Sequence, residues 1–302
     1  MIVALSPYHL TTREAPAMAS LQLAEHVVTL LPSAPIDEIV DERAGFEQAV
    51  RTIPRYHELL DAWRWCETLW AEGVVASTLD GADPAADVQD QMRRLSMGER
   101  PELAPLIEHG LENDGWGMLG SVAKDLMRGG PDPAISLPVA AGLDAFASRH
   151  NLVAARSRAA SMAQKIEEQL ATKVASFAVP ILAQAGGDRI AEARDLLAPE
   201  LDVLRAEMVA AIAGEEADIL DAAHAYTAAF ERDREHLVRT DDELDERTIA
   251  RTVSVSLVSL PADCVLRSAV QAAQRVRLTG AKSTPGLLRA DRVVGMIVRL
   301  ID

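Results

Sequence analysis

Aromatic residues make up only 4% of this chain, so its core must be built mainly from aliphatic and alanine side chains. Two cysteines, Cys66 and Cys264, are too few for a disulfide scaffold and suit a compartment that keeps thiols reduced. Basic residues are outnumbered by acidic ones, 30 to 46, leaving a net charge of −16 that repels phosphate backbones and anionic lipid headgroups. The most basic stretch, from Arg267 through Arg275, Arg277, Lys282 and Arg289 to Arg292, is scattered and has no interleaved aromatics. Neither nucleic acid nor a membrane surface is therefore expected as a partner. Apolar runs stay well short of a bilayer span, and the opening MIVALSPYHLTTRE has no basic leader, so a cytoplasmic location is expected.

Several catalytic signatures are missing too. G-x-S-x-G, H-E-x-x-H, G-x-G-x-x-G and paired C-x-x-C do not occur. The string Gly280 to Thr284 (GAKST) ends like a P-loop, but Ala281 rather than glycine stands immediately before Lys282, and no earlier glycine stands at the required spacing.

What remains is a 302-residue chain, 49% apolar and 25% charged, enough to bury a sizeable core. Ile2 to Leu5 and Val27 to Leu31 read as short apolar strands flanking a helix from about Thr12 to Glu25. From Pro35 to about Leu237 the periodicity is helical. Pro54 opens a helix with Tyr56, Leu59, Leu60, Trp63 and Trp70 on one face; Trp65 falls off that face, and Cys66 sits at or near the core. Three stripes follow between Asn151 and Val238. The first runs Met162, Ile166, Leu170, Val174, Phe177, Ile181, the second from Ile190 through Leu197, Leu201, Leu204 and Met208 to Ile212. The third is Ile219, Ala223, Tyr226, Phe230, Leu237. Short glycine breaks between them suggest antiparallel helices, with Pro180 and Pro199 kinking or dividing them. Beyond the acidic run Asp241–Glu246, Val253, Val255 and Leu257 alternate with Thr252, Ser254 and Ser256, a strand pattern. The segment 292–301 reads as a strand or a helix, with its Val-Val and Ile-Val pairs favouring strand.

The fold class expected is therefore mainly α: a multi-helix antiparallel, bundle-like region at 36–249, with a small α/β unit made by 1–35 and 250–302. Its function on this reading is that of a helical interaction or scaffold protein without catalysis. Its partner is another protein or a second copy of itself, met through amphipathic helices, and it needs no cofactor.

The alternative is an enzyme or binding protein for a phosphorylated or diphosphate-bearing small molecule. Its anion site would be His9, Thr11, Thr12 and Arg13, which follow the first strand and precede a helix whose free N–H groups attract negative charge. Thr11 or Thr12 also serves simply as the helix cap. Asp241, Asp242 and Asp245 form DDxxD, with i, i+4 carboxylates on one helix face suited to Mg²⁺, and Asp37 and Asp41 repeat the spacing. This resembles the aspartate-rich motif of class I isoprenoid synthases, without that family's basic diphosphate-binding pattern and with β-like ends foreign to its fold. Asp221-x-x-His224 and Asp233-x-x-His236 lie on one predicted helix, where solvated faces account for them better than a di-iron site does. Cys264 follows a strand, a nucleophile's position, but has no identifiable base.

Overall fold

The computed structural model describes residues 1–29, 62–77, 79, 82, 143, 146–156, 169–238, 248–260 and 293–301. In chain order these form β1 (Ile2–Leu5), α1 (Pro7–Thr12), α2 (Ala15–Leu23) and β2 (His26–Thr29). A 3-10 turn (Arg64–Cys66), α3 (Glu67–Ala71), β3 (Val75–Ala76), β4 (Val153–Arg156) and β5 (Thr172–Gln184) come next. The remainder is α4 (Gly187–Leu196), α5 (Ala198–Ala213), α6 (Ile219–Arg232), α7 (Arg234–Leu237), β6 (Ile249–Leu260) and β7 (Val293–Leu300).

All seven strands join one sheet in the order β3-β2-β1-β4-β7-β6-β5. β1, β2, β3, β4 and β7 pair in parallel, whereas β6 runs antiparallel to both β7 and β5. The chain is thus α/β, and the expectation of a mainly α protein is overturned. β3, β4 and β5 all lie in the region read as helical. The clearest miss is β5, a 13-residue strand where the stripe through Val174, Phe177 and Ile181 suggested a helix. An i, i+4 spacing is even, so it returns to the same face of a strand as readily as to the same face of a helix. Pro180 does not kink a helix. It sits in an edge strand, where its missing N–H breaks no ladder.

Register explains which strand face is buried. Val253 and Val255 of β6 lie opposite Val179 and Phe177 of β5 and opposite Leu300 and Val298 of β7. Val253, Val255, Val179, Phe177 and Val298 are all buried. α2 lies across the sheet, touching β1, β2, β4, β5 and β7. Its residues 16–23 are all buried, so it is a core helix, apolar around its whole circumference apart from Ser20 and Gln22. Ser20 Oγ donates to the Pro16 carbonyl at 2.6 Å.

The second and third stripes hold as helices. Ile190, Ala193, Leu197, Leu201, Leu204 and Met208 are buried, as are Ile219, Ala223, Tyr226, Phe230 and Leu237. These faces are spent inside the chain: α5 and α6 pack on each other and both contact β5. Pro199 stands in the first turn of α5, dividing it from α4. Gly214 closes α5 in the left-handed region at φ 79°, the conformation that favours glycine. Gly187 answers a different need. A Cβ there would lie 3.0 Å from Cys66 Cα and from the Trp65 carbonyl oxygen, so only glycine lets α4 start this close to the 3-10 turn. The segment 293–300 is a strand, β7, as its paired β-branched residues favoured. Among the described residues, no helix is long and apolar enough to cross a membrane.

Candidate functional site

The segment Ser6–Arg13 follows β1, at the carboxyl end of the parallel strands. β2 and β3 lie to one side of β1 and β4 to the other, which is where the order of an open α/β sheet reverses and ligands are generally bound. After Ser6 the chain turns helical at once, because α1 begins at Pro7. Thr11 and Thr12 therefore end α1 and neither caps α2. Glu14 is the α2 cap residue, without a side-chain cap bond.

Each of the four residues proposed for anion binding has a definite place. His9 is buried, and its Nδ1 lies 3.0 Å from Glu14 Oε2. Thr11 Oγ1 donates to the Pro7 carbonyl at 3.0 Å and accepts the Trp63 indole N–H at 2.9 Å. Its hydroxyl is thus engaged in bracing α1 against the tryptophan segment. Thr12 is exposed. Arg13 adopts φ 51°, left-handed backbone that costs an L side chain roughly 1–2 kcal/mol. Its guanidinium carbon lies 4.6 Å from the centroid of the Trp65 ring, a cation–π contact. Trp65, off the apolar face of its helix, thus meets a second element of the same chain.

Thr12 and Arg13 open onto a cleft of about 720 Å³, within the usual range for small-molecule sites. The opposite wall comes from the strand ends: Ala183 to Ala185 at the end of β5, Ile249 and Arg251 at the start of β6, and Leu300 and Ile301 at the end of β7. The charged residues lining the cleft are Arg13, Arg251 and Glu14, whose carboxylate His9 engages. Arg251 is exposed, and among the described residues no hydrogen bond or ion pair holds it. Arg251, Gln184 and Leu300 are the contributors that sequence reasoning missed. The alternation at 252–257 located β6, but nothing along the chain shows that its first residues face Arg13.

Of the other candidates, Asp241, Asp242, Asp245, Asp37, Asp41, Cys264 and Gly280–Thr284 lie outside the described residues. Among the described residues, no cluster of three or more His, Cys, Asp or Glu could hold a metal ion. Asp221 and His224 are exposed on α6. Asp233 accepts from Arg232 at 3.0 Å, and His236 Nε2 meets Glu192 Oε1 at 2.7 Å. Both Asp-x-x-His pairs lie at the surface, but not on one helix as expected: α6 ends at Arg232, and His236 belongs to α7.

Cys66 beside the site is a structural thiol. It is buried, its Sγ lies 3.1 Å from the Trp63 carbonyl, and burial pushes its pKa up to about 12. At pH 8 its thiolate fraction is about a thousandfold below that of an ordinary cysteine. In a Cys264→Ser variant, a disulfide reagent should therefore modify Cys66 about a thousandfold more slowly in native than in urea-unfolded protein. Comparable rates would mean that Cys66 is reactive after all.

Fold and cleft together define an open α/β protein with a mixed polar and apolar pocket at the carboxyl end of its sheet. No protein-family model, curated protein or solved structure matches the chain.

Proposed function

We propose that the chain is a binding protein for a small anionic molecule bearing a carboxylate or phosphate, held between Arg13 and Arg251. The observation that carries this reading is that two arginines from distant segments, Arg13 and Arg251, line one cleft, at the sheet end where such folds take ligands. Their charge opposes the −16 of the whole chain, so it favours anions locally. The left-handed backbone at Arg13 supports the same view. Glycine would fit that backbone without strain, and strain of this kind clusters at functional positions.

Most residues of the second and third stripes that motivated the interaction reading are buried in the chain's own core, whereas Leu170 and Val174 of the first are exposed. Leu196, Val203, Val209 and Leu220 are the exposed large apolar residues of α4, α5 and α6, and they stand one at a time along the sequence.

Titration calorimetry with inorganic phosphate and with acetate at low ionic strength tests the proposal. A charge-assisted hydrogen bond contributes about 1.5–3 kcal/mol, so Arg251→Gln should weaken binding roughly 10- to 100-fold. Because Arg251 is exposed and, among the described residues, no side-chain hydrogen bond or ion pair holds it, its loss should leave the urea midpoint nearly unchanged. Arg13→Gln should weaken binding to a similar extent. If neither anion binds the wild-type protein, or if Arg251→Gln binds as wild type does, the proposal fails.

A further inference from the structure

The cationic cleft also has an apolar wall, and its placement specifies the ligand more closely. Leu300 is 53% exposed and Ile301 46% exposed, and both line the cleft that Arg13 and Arg251 also line. Exposed apolar residues carry little meaning singly, but here they are neighbours in one concave site that also contains Ile249, Ala183 and Ala185.

Register fixes the relation between wall and charge. Leu300 lies opposite Val253 on β6, and Arg251 is two residues from Val253, so Leu300 and Arg251 share one face of the sheet. Arg251 in turn lies opposite Ile181 of β5. The Ile301 N–H donates to the Thr252 carbonyl at 3.0 Å, which holds the end of β7 against the start of β6. An anionic head at Arg251 would therefore bring its attached body alongside Leu300 on the same face, in the cleft that Ile301 also lines. Inorganic phosphate would leave that wall bare.

We infer that the ligand is an amphipathic carboxylate: an organic acid with an aliphatic body of several carbons, its head on Arg13 and Arg251 and its body on Leu300, Ile301 and Ile249. This inference rests on the anion-binding reading above and narrows it to one chemical class.

The test is a chain-length series, acetate, butyrate, hexanoate and octanoate, titrated into the wild-type protein alongside inorganic phosphate. Burying a methylene is favourable, so affinity should rise about fourfold for each CH2 added until the cleft is filled. Leu300→Ser should flatten that rise, so that octanoate loses more affinity than acetate does. Because Leu300 is exposed, this variant is expected to fold, and circular dichroism checks that it does. Arg251→Gln should weaken the whole series by a similar factor, keeping its slope.

If acetate and phosphate bind through Arg251 but affinity does not change with chain length, the amphipathic ligand is overturned and the anion site stands. If no anion binds at all, both fall. If the longer acids bind equally well to Arg251→Gln, the apolar wall is acting without the cationic head group, and the inference is overturned. A slope that survives Leu300→Ser overturns it as well.

Discussion

Replacing Arg194 by methionine should destabilise the protein by about 3 kcal/mol, since it removes several charge-assisted bonds from a partly buried site. Arg194, on α4, donates from Nη1 to the Leu21 carbonyl at 2.7 Å and to the Ala24 carbonyl at 2.6 Å, and from Nη2 to the Glu25 carbonyl at 2.9 Å. Arg205, on α5, adds bonds to the Leu23 carbonyl at 2.9 Å and the Ala24 carbonyl at 2.8 Å. The last turn of a helix leaves its carbonyls without intrahelical partners, and positive charge there complements the helix dipole. Two arginines from outside thus close α2, whose interior position leaves little water to do so. Burial and the neighbouring Arg205 lower the Arg194 pKa to about 10, so it remains charged at neutral pH. Methionine keeps much of the apolar stem but leaves Leu21 without its donor. Arg194→Lys should recover only part of the loss, because an ammonium cannot span three carbonyls in a fixed plane. Urea denaturation of the three proteins measures this, and a methionine variant within 1 kcal/mol of wild type would refute it.

Gln22→Leu should have an effect of similar size, about 2–4 kcal/mol, for a different reason. The Gln22 amide donates to the Leu182 carbonyl at 3.1 Å and accepts the Leu182 N–H at 2.8 Å. It also donates to the Met18 carbonyl at 3.0 Å. Leu182 lies in the edge strand β5, and one buried side chain of α2 thus takes the place of a neighbouring strand for that residue. Two positions earlier, Pro180 offers no N–H. Together they blunt the edge where it is covered. Leucine fills about the same volume but leaves both Leu182 groups unsatisfied in the core, which costs more than losing a solvated bond. Hydrogen exchange gives the local readout: the Leu182 amide should be protected in wild type and lose most of that protection in the variant. An amide that stays protected, with an unchanged urea midpoint, would show that the pairing contributes nothing.

Both devices concern contacts between residues more than 150 positions apart, and neither was visible along the chain. By contrast, β1, β2 and β6 were legible, because short apolar runs and alternation report the local environment of each residue in turn. So were the buried faces of α4, α5 and α6, because a surface helix packed on one side keeps a 3.6-residue rhythm. α2 was only half legible: its location was read, but a helix buried on all sides has no polar face to mark it. β5 misled for the reason its register makes plain. Phe177 and Ile181 are four apart on a strand whose other positions, Ala178 and Pro180, are also apolar, so the period of two was hidden.

The candidate site divides in the same way. Thr12 and Arg13 could be proposed from the sequence because they follow a strand, and strand ends in α/β sheets carry ligands. His9 and Thr11 belonged to the same guess, but they are engaged by Glu14, Pro7 and Trp63, which only folding brings within reach.

Taken alone, the sequence determined composition, charge, the absence of several catalytic signatures and the elements whose patterning is local. The order of the sheet was decided by tertiary structure, and with it the meeting of Arg13, Arg251 and Leu300. Strand pairing depends on which faces can be buried together across the whole chain, a condition that no single stretch of residues contains.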